Sequence, residues 1–266
     1  MSKKFAWATD LHLNFVGKYG WNKFKDQVKK YSPNGLLISG DIAEATTISS
    51  YLKKLNEFLK IPIYFVLGNH DFYDGSISKV REEVDMLMKK SYQLYFLDSL
   101  AEIKLNDDVA LIGHSGWADG RLGNYEKSPV FLNDYIMIEE FKSLLKSQRL
   151  ELLNELGNES AANLKDKLEG ALEEYSKIIL LTHVPPFKES CWHEGKISDE
   201  NYLPHFSCKS VGDTLKSVMG SHPDSYLTVL CGHTHSAGEV KVLPNLRVLT
   251  AGAEYGIPRV EKVINL

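Results

Sequence analysis

The chain has 266 residues, 43% of them hydrophobic, and a formal net charge of −4 at pH 7. That composition supports one sizeable core, and the acidic balance excludes a chain that binds nucleic acid by bulk attraction. Cys191, Cys208 and Cys231 form no C-x-x-C spacing, which argues against a disulfide framework and a structural zinc site, though a Cys191–Cys208 bridge is geometrically allowed. Met1 leads almost directly into the first apolar run, and no stretch approaches the ~18 apolar residues that span a bilayer. The expectation is a soluble, cytoplasmic, single-domain protein over residues 1–266 with no membrane partner.

Apolar runs at Lys4 to Thr9, Leu36 to Ser39 and Ile61 to Leu67 read as strands. Each precedes a helical period: Asn22 to Tyr31, Ile48 to Lys60, and Ser76 to Lys90, where Ile77, Val80, Val84, Leu87 and Met88 share a face. This alternation predicts a largely parallel sheet. Leu94 to Leu97, Ala101 to Leu105 and Val109 to Gly113 follow as short strands without helices, which predicts a second, more antiparallel sheet. Residues 134–176 read as a helical hairpin broken at Gly157-Asn158, its first helix carrying Ile138, Phe141, Leu145, Leu152 and Leu156 and its second Leu164, Leu168, Ala171 and Leu172. Strands return at Ile178 to Thr182, Tyr226 to Cys231, Gly238 to Leu243 and Leu246 to Ala251, the last two separated by the turn signal Pro244-Asn245.

Five of these strands end in short polar clusters: Asp10-x-His12, Gly40-Asp41, Gly68-Asn69-His70-Asp71, His183 and Gly232-His233-x-His235. Carboxyl ends of strands in open α/β sheets are where ligands gather, so residues far apart in sequence are expected to converge on one cleft. Imidazole, carboxylate and amide oxygen without thiolate suit manganese, iron, zinc or nickel. Two such metals ~3.5–4 Å apart would solve the problem posed by a phosphate ester, lowering the pKa of a bridging water towards ~7 and clamping the phosphoryl oxygens. Two divalent cations against Asp10, Asp41 and one hydroxide leave about +1, which attracts a phosphate ester despite the acidic chain.

In the same order and over most of the chain, these clusters resemble the calcineurin-like metallophosphoesterase superfamily. The resemblance implies an α/β fold, a four-layer α/β/β/α sandwich of two packed mixed sheets. It implies two divalent metal cofactors, the first on Asp10, His12, Asp41 and His235, the second on Asp41, Asn69, His183 and His233, with Asp41 bridging. His70 is implied to face the substrate and assist the leaving group. Glu44, three positions after Asp41, is implied to orient His70, with Asp71 as the competing partner and a simple helix cap as the alternative for Glu44.

Specificity is expected from loops. Ser115 to Asn133 carries Trp117, Arg121, Tyr125 and Lys127; residues 185–212 carry Phe187, Lys188, Trp192, His193, Lys196, Tyr202, His205 and Phe206 and read as a substrate-facing loop. Arg121, Trp192 and Lys196 are candidate substrate contacts, the alternative being that the aromatics pin the loop. His114 reads either as a substrate contact or as a buried, hydrogen-bonded imidazole. The expected function is hydrolysis of a phosphodiester or phosphomonoester, nucleotides included among the substrates. Alternatives are a phosphoprotein phosphatase, disfavoured because Ala45 follows Glu44 and Asp71 ends the third cluster; a nucleic-acid-end nuclease, whose long basic extension is missing; a lipid-precursor pyrophosphohydrolase, which usually carries arginine at position 70; and a non-catalytic scaffold, disfavoured by the complete ligand set.

Overall fold

The computed structural model describes residues 3–266. Its first half alternates strand and helix: β1 (Lys4–Ala8), α1 (Lys18–Tyr31), β2 (Gly35–Ser39), α2 (Ile48–Leu59), β3 (Ile63–Val66), α3 (Ile77–Lys89) and β4 (Leu94–Phe96). Then come β5 (Ile103–Lys104), β6 (Val109–Gly113), α4 (Asp134–Met137), α5 (Lys146–Glu174), β7 (Lys177–Leu181), β8 (Trp192–His193), β9 (Lys196–Ile197), α6 (Leu203–Phe206), α7 (Lys209–Gly220), β10 (Tyr226–Cys231), β11 (Gly238–Leu243), β12 (Leu246–Thr250) and β13 (Lys262–Asn265).

Period-two alternation sets the layers. Phe5 and Trp7 of β1, Leu37 of β2 and Val66 of β3 pack against Leu111, Ile179, Leu181 and Leu230 of β6, β7 and β10, forming a core between two sheets. Their neighbours Ala6, Ala8, Leu36, Ile38 and Phe65 face the other way, against Phe24 and Val28 of α1, Leu52 and Leu55 of α2 and Val80 and Val84 of α3. On the far side, Ile178, Leu180 and Val229 meet Leu164 and Leu168 of α5 and Val211 and Leu215 of α7. The result is the four-layer α/β/β/α sandwich.

The sheets run β13-β1-β2-β3-β4 and β11-β12-β10-β7-β6-β5. β1 to β4 are parallel and β13 is antiparallel to β1. Two expectations change here. Leu94 to Leu97 joins the first sheet, because α3 is the crossover that returns β4 alongside β3. The second sheet is parallel at its centre, through β12, β10, β7 and β6, and antiparallel at its edges, β11 and β5.

The helical hairpin is also corrected. Residues 146–174 form one 29-residue helix with a continuous buried stripe through Leu153, Leu156, Ser160, Leu164, Leu168 and Ala171. Gly157 does not break it. A β-carbon there would lie 2.5 Å from the Cβ of Asp119, so the residue lets the helix approach the 115–133 loop, at a propensity cost of ~1 kcal/mol. Ahead of it stand only the short α4 and a 3₁₀ turn at Glu139–Phe141. Four elements add to the expected set: the β8–β9 hairpin, α6, α7 and β13. Cys191, Cys208 and Cys231 are free and buried. Among the described residues no helix is long and apolar enough to cross a membrane.

Leu37 lies fully buried between the sheets. Leu37→Ala should lower unfolding free energy by about 2–5 kcal/mol, read as a reduced urea midpoint with unchanged m-value.

Candidate active site

The carboxyl ends of β1, β2, β3, β7 and β10 meet at one edge of the sandwich, the first three from one sheet and the last two from the other. Their turns are tight. Asp10 (φ 47°), His12 (41°), Asp41 (52°), His233 (73°) and His235 (56°) are all left-handed. Each such residue costs about 1–3 kcal/mol, least for Asp and His, and such strain concentrates at functional sites. The turns brace one another through Asp10 N–H to Gly40 O (3.0 Å), His12 N–H to Asp41 O (2.9 Å) and Leu13 N–H to Ile42 O (2.9 Å).

Asp10, His12, Asp41 and His235 bring ligand-type atoms within 4.8 Å of one another. Nε2 of His12 and Nε2 of His235 are 3.1 Å apart, His235 Nε2 is 3.3 Å from Asp10 Oδ1, and His12 Nε2 is 3.8 Å from Asp41 Oδ2. Atoms bound to one cation at ~2.1 Å lie about 3.0 Å apart at octahedral edges and about 3.4 Å at tetrahedral ones, so this quartet fits one metal ion. Burial lowers the His12 pKa to about 4 against the pull of Asp41 and Asp10, which keeps that imidazole neutral and its lone pair free.

A second group lies on the other side of Asp41. His183 Nε2 is 3.4 Å from Asp41 Oδ1 and 3.2 Å from Asn69 Oδ1, which is 3.1 Å from His233 Nδ1. Carbonyls only accept, so partners fix both tautomers: Nδ1–H of His183 donates to Ser39 O (2.9 Å), and Nε2–H of His233 donates to His205 O (3.3 Å). The opposite nitrogens therefore face the cleft. Asn69 is turned in the same way. Its amide nitrogen donates to Asp134 Oδ1 (2.8 Å), which also accepts from the Tyr73 hydroxyl (2.7 Å), leaving the amide oxygen toward the histidines. Burial opposes ionisation of Asp41, but His183, His70 and His12 hold its carboxyl well below the usual range. Burial also opposes charge on His183, yet Asp41 and Asp10 raise it to about 10, so without a cation its Nε2 carries a proton as well, and the lone pair facing the cleft becomes available only when a metal displaces that proton.

His70 donates its backbone N–H to Asp41 Oδ1 (2.9 Å) and packs its ring 4.2 Å from Tyr73. Neither expected partner orients it. The Glu44 carboxylate has no hydrogen-bond partner among the described residues. Asp71 is occupied by the N–H groups of Ile42 (2.9 Å), Ala43 (2.8 Å) and Gly68 (2.8 Å), which clamp the Asp41 turn to the Asn69 turn. The hydroxyl of Tyr255 stands 3.4 Å from His70 Nε2 instead.

A model of the family described as calcineurin-like phosphoesterase matches residues 3–237. The chain belongs to this family. It is a metal-dependent phosphoric ester hydrolase of α/β/β/α fold. Among curated proteins, no sequence matches it significantly. The phosphoesterase is similar in structure to the phosphopantetheinyl hydrolase of Mycobacterium tuberculosis (TM-score 0.66, 14% identity, covering 97% of this chain and 95% of that one). It is similar also to a dimetal phosphatase of Danio rerio (0.56, 14%, 94% and 87%) and to a protein of Thermus thermophilus (0.57, 12%, 100% and 99%). At these identities the likeness establishes the fold.

The cleft of the phosphoesterase, 250 Å³, is lined by Asn69, His70, Tyr73, His193, Phe206 and Tyr255 among others. His114, Arg121, Trp192 and Lys196, expected at the substrate, do not line it. His114 is buried, accepts from Gly116 N–H (3.0 Å) and faces Asp98. Arg121 is held by the buried Asp119 (3.0 Å) and by Ser210 (2.6 Å). Trp192 packs on Gly238 so closely that a β-carbon would overlap its indole, and strand alternation then presents its neighbour His193 to the cleft. Lys196 is exposed on β9. Asp134, Tyr73 and Tyr255 are additions to the site. No motif marks them: Tyr73 lies two positions past the third cluster, and Asp134 and Tyr255 arrive from segments outside all five.

A β-carbon at Gly232 would lie 2.0 Å from Asp10 Oδ2, and one at Gly68 2.2 Å from Asp41 Oδ1, so each glycine seats a carboxylate from another strand. Gly232→Ala should displace Asp10 and reduce hydrolysis and manganese affinity by about 10²-fold, with an unchanged far-ultraviolet dichroism spectrum.

Proposed function

We propose that the protein hydrolyses a phosphodiester or phosphomonoester with two divalent metals, one held by Asp10, His12, Asp41 and His235 and the other by Asp41, Asn69, His183 and His233. The observation that carries this reading is the orientation of Asp41. Its Oδ2 faces His12 while its Oδ1 faces His183, so one buried carboxylate serves both groups of ligand atoms. Donor chemistry supports manganese, iron, zinc or nickel. When bound, such metals supply Lewis acidity toward phosphoryl oxygens and make water nucleophilic near neutral pH.

The chain's own groups divide the remaining work. Ser39 and His205 carbonyls hold the histidine tautomers that present lone pairs, and Asp134 with Tyr73 presents the Asn69 oxygen. His70 borders the cleft without joining either group, in reach of a departing ester oxygen; its role here is to deliver the proton that oxygen needs. Asp71 has a structural role.

Purified protein should bind two manganese ions per chain, and chelation should abolish hydrolysis of bis(4-nitrophenyl) phosphate. Asp41→Asn should lower occupancy at both positions, whereas one bound ion with full activity would remove the two-metal reading. His70→Asn should retain both metals. Its loss should reach ~10²–10⁴-fold for an ester of a high-pKa alcohol and be much smaller for a nitrophenyl ester, so that the rate depends more steeply on leaving-group pKa. An equal loss for both esters would make His70 an electrostatic stabiliser, and lost metal would make it a ligand.

A further inference from the structure

The cleft offers a substrate no permanent cation of its own. Among the described residues, neither lysine nor arginine lines it. Of the basic side chains on neighbouring loops, Arg259 is engaged by Glu261 and the Gly252 carbonyl and Lys188 by Glu200, while Lys196, opposite His193 in the β8–β9 hairpin, is exposed and lies outside the cleft lining. Buried Asp134 stands directly behind Asn69 and adds an acidic group. Phosphomonoester dianions and polyphosphates carry two or more charges and are held where arginine or lysine forks meet them. A site with two divalent metals, two ligand aspartates and no such fork suits a single negative charge, that of a phosphodiester.

Aromatic rings flank the two ligand groups. Tyr255 lies over His12 with centroids 4.4 Å apart at 31°, and meets Phe15 edge-on at 5.4 Å. Phe15 is 54% and Tyr255 50% exposed, although rings of this size usually bury most of their surface. On the other side Phe206 meets His233 edge-on at 5.2 Å. Phe15 and Tyr255, their planes at 86°, thus form an angled, solvent-open shelf whose inner member, Tyr255, lines the cleft, and exposed aromatic faces beside a phosphate site are where proteins stack planar rings.

We propose that the substrate is a phosphodiester monoanion bearing a planar aromatic ring on one ester, and that this ring lies on the Phe15–Tyr255 shelf. The proposal rests on the phosphoesterase reading of the same site. In the reaction the oxygen of water forms a new bond to phosphorus, the bond from phosphorus to one ester oxygen breaks, and that oxygen leaves with one proton as the alcohol. Water's second proton passes to solvent, so the product monoester carries an extra charge that no side chain of the cleft meets, and it leaves without a second hydrolysis.

The test compares manganese-loaded protein on phenyl 4-nitrophenyl phosphate, methyl 4-nitrophenyl phosphate and 4-nitrophenyl phosphate, which share a leaving group. Both diesters should exceed the monoester in kcat/KM by at least tenfold, and the phenyl diester should exceed the methyl diester by roughly tenfold. Calorimetry should show the same order for binding of diphenyl and dimethyl phosphate. Tyr255→Leu and Phe15→Leu should each reduce the phenyl preference to within about threefold in rate and in affinity, and Tyr255→Phe should keep it, because stacking needs the ring and not the hydroxyl. Faster turnover of the monoester would overturn the diester assignment while leaving the phosphoesterase reading intact. A phenyl preference that survives both leucine variants, with folding verified by circular dichroism, would overturn the shelf. No turnover of any of the three would overturn both readings together.

Discussion

Four buried aspartates, Asp10, Asp41, Asp71 and Asp134, share one end of the sandwich, and the organisation of the site follows from how their charge is met. Removing a carboxylate from water costs several kcal/mol unless donors or cations replace the solvent. Asp71 collects three backbone N–H groups and Asp134 collects a phenol and an amide, so both are satisfied by neutral donors. Asp10 and Asp41 differ. Asp10 takes the Thr9 hydroxyl and the His233 N–H, and Asp41 takes the His70 N–H, yet both keep an oxygen turned toward imidazole nitrogens. Their charge is the part of the site that a cation completes.

The site also depends on how the two sheets are held together. His183 comes from the second sheet, and its ring is fixed by the Ser39 carbonyl of the first. The Trp7 indole donates to Ser39 Oγ (2.9 Å), and Ser115, past the end of β6, accepts from Leu67 N–H (2.9 Å) just before the Asn69 turn. Interior packing is close enough that a shift between layers moves side chains by comparable amounts. A side-chain cluster drawn from both sheets is therefore only as well ordered as the apolar layer between them, to which Phe5, Leu37, Ile179 and Leu230 belong.

Second contacts give the inner residues their direction. Ser39 and His205 offer backbone carbonyls, and the Asp134–Tyr73 pair offers a fixed acceptor, so each of His183, His233 and Asn69 has one polar end committed to the protein and the other left for the cleft. Such partners set orientation and basicity, and for that reason count toward metal chemistry as much as the atoms in direct reach. Tyr255 stands apart from them, at once above His12 and beside His70.

Sequence by itself determined the strands and the residues at their ends. Period-two and helical apolar patterns are local, and Asp-x-His, Gly-Asn-His-Asp and Gly-His-x-His carry their chemistry within a few positions, so the layered fold and the convergent cluster were legible before any coordinates. Tertiary structure decided the rest. Asp134 is 65 residues from the amide it orients, and Tyr255 is 185 residues from His70. His114, Arg121 and Trp192 have the right chemistry for a substrate contact, but Asp98, Asp119 and Gly238 engage them first. Gly157 reads as a helix breaker from its propensity and is a packing contact in the fold. A side chain's type is written in the chain; which partner satisfies it depends on distances that packing alone sets.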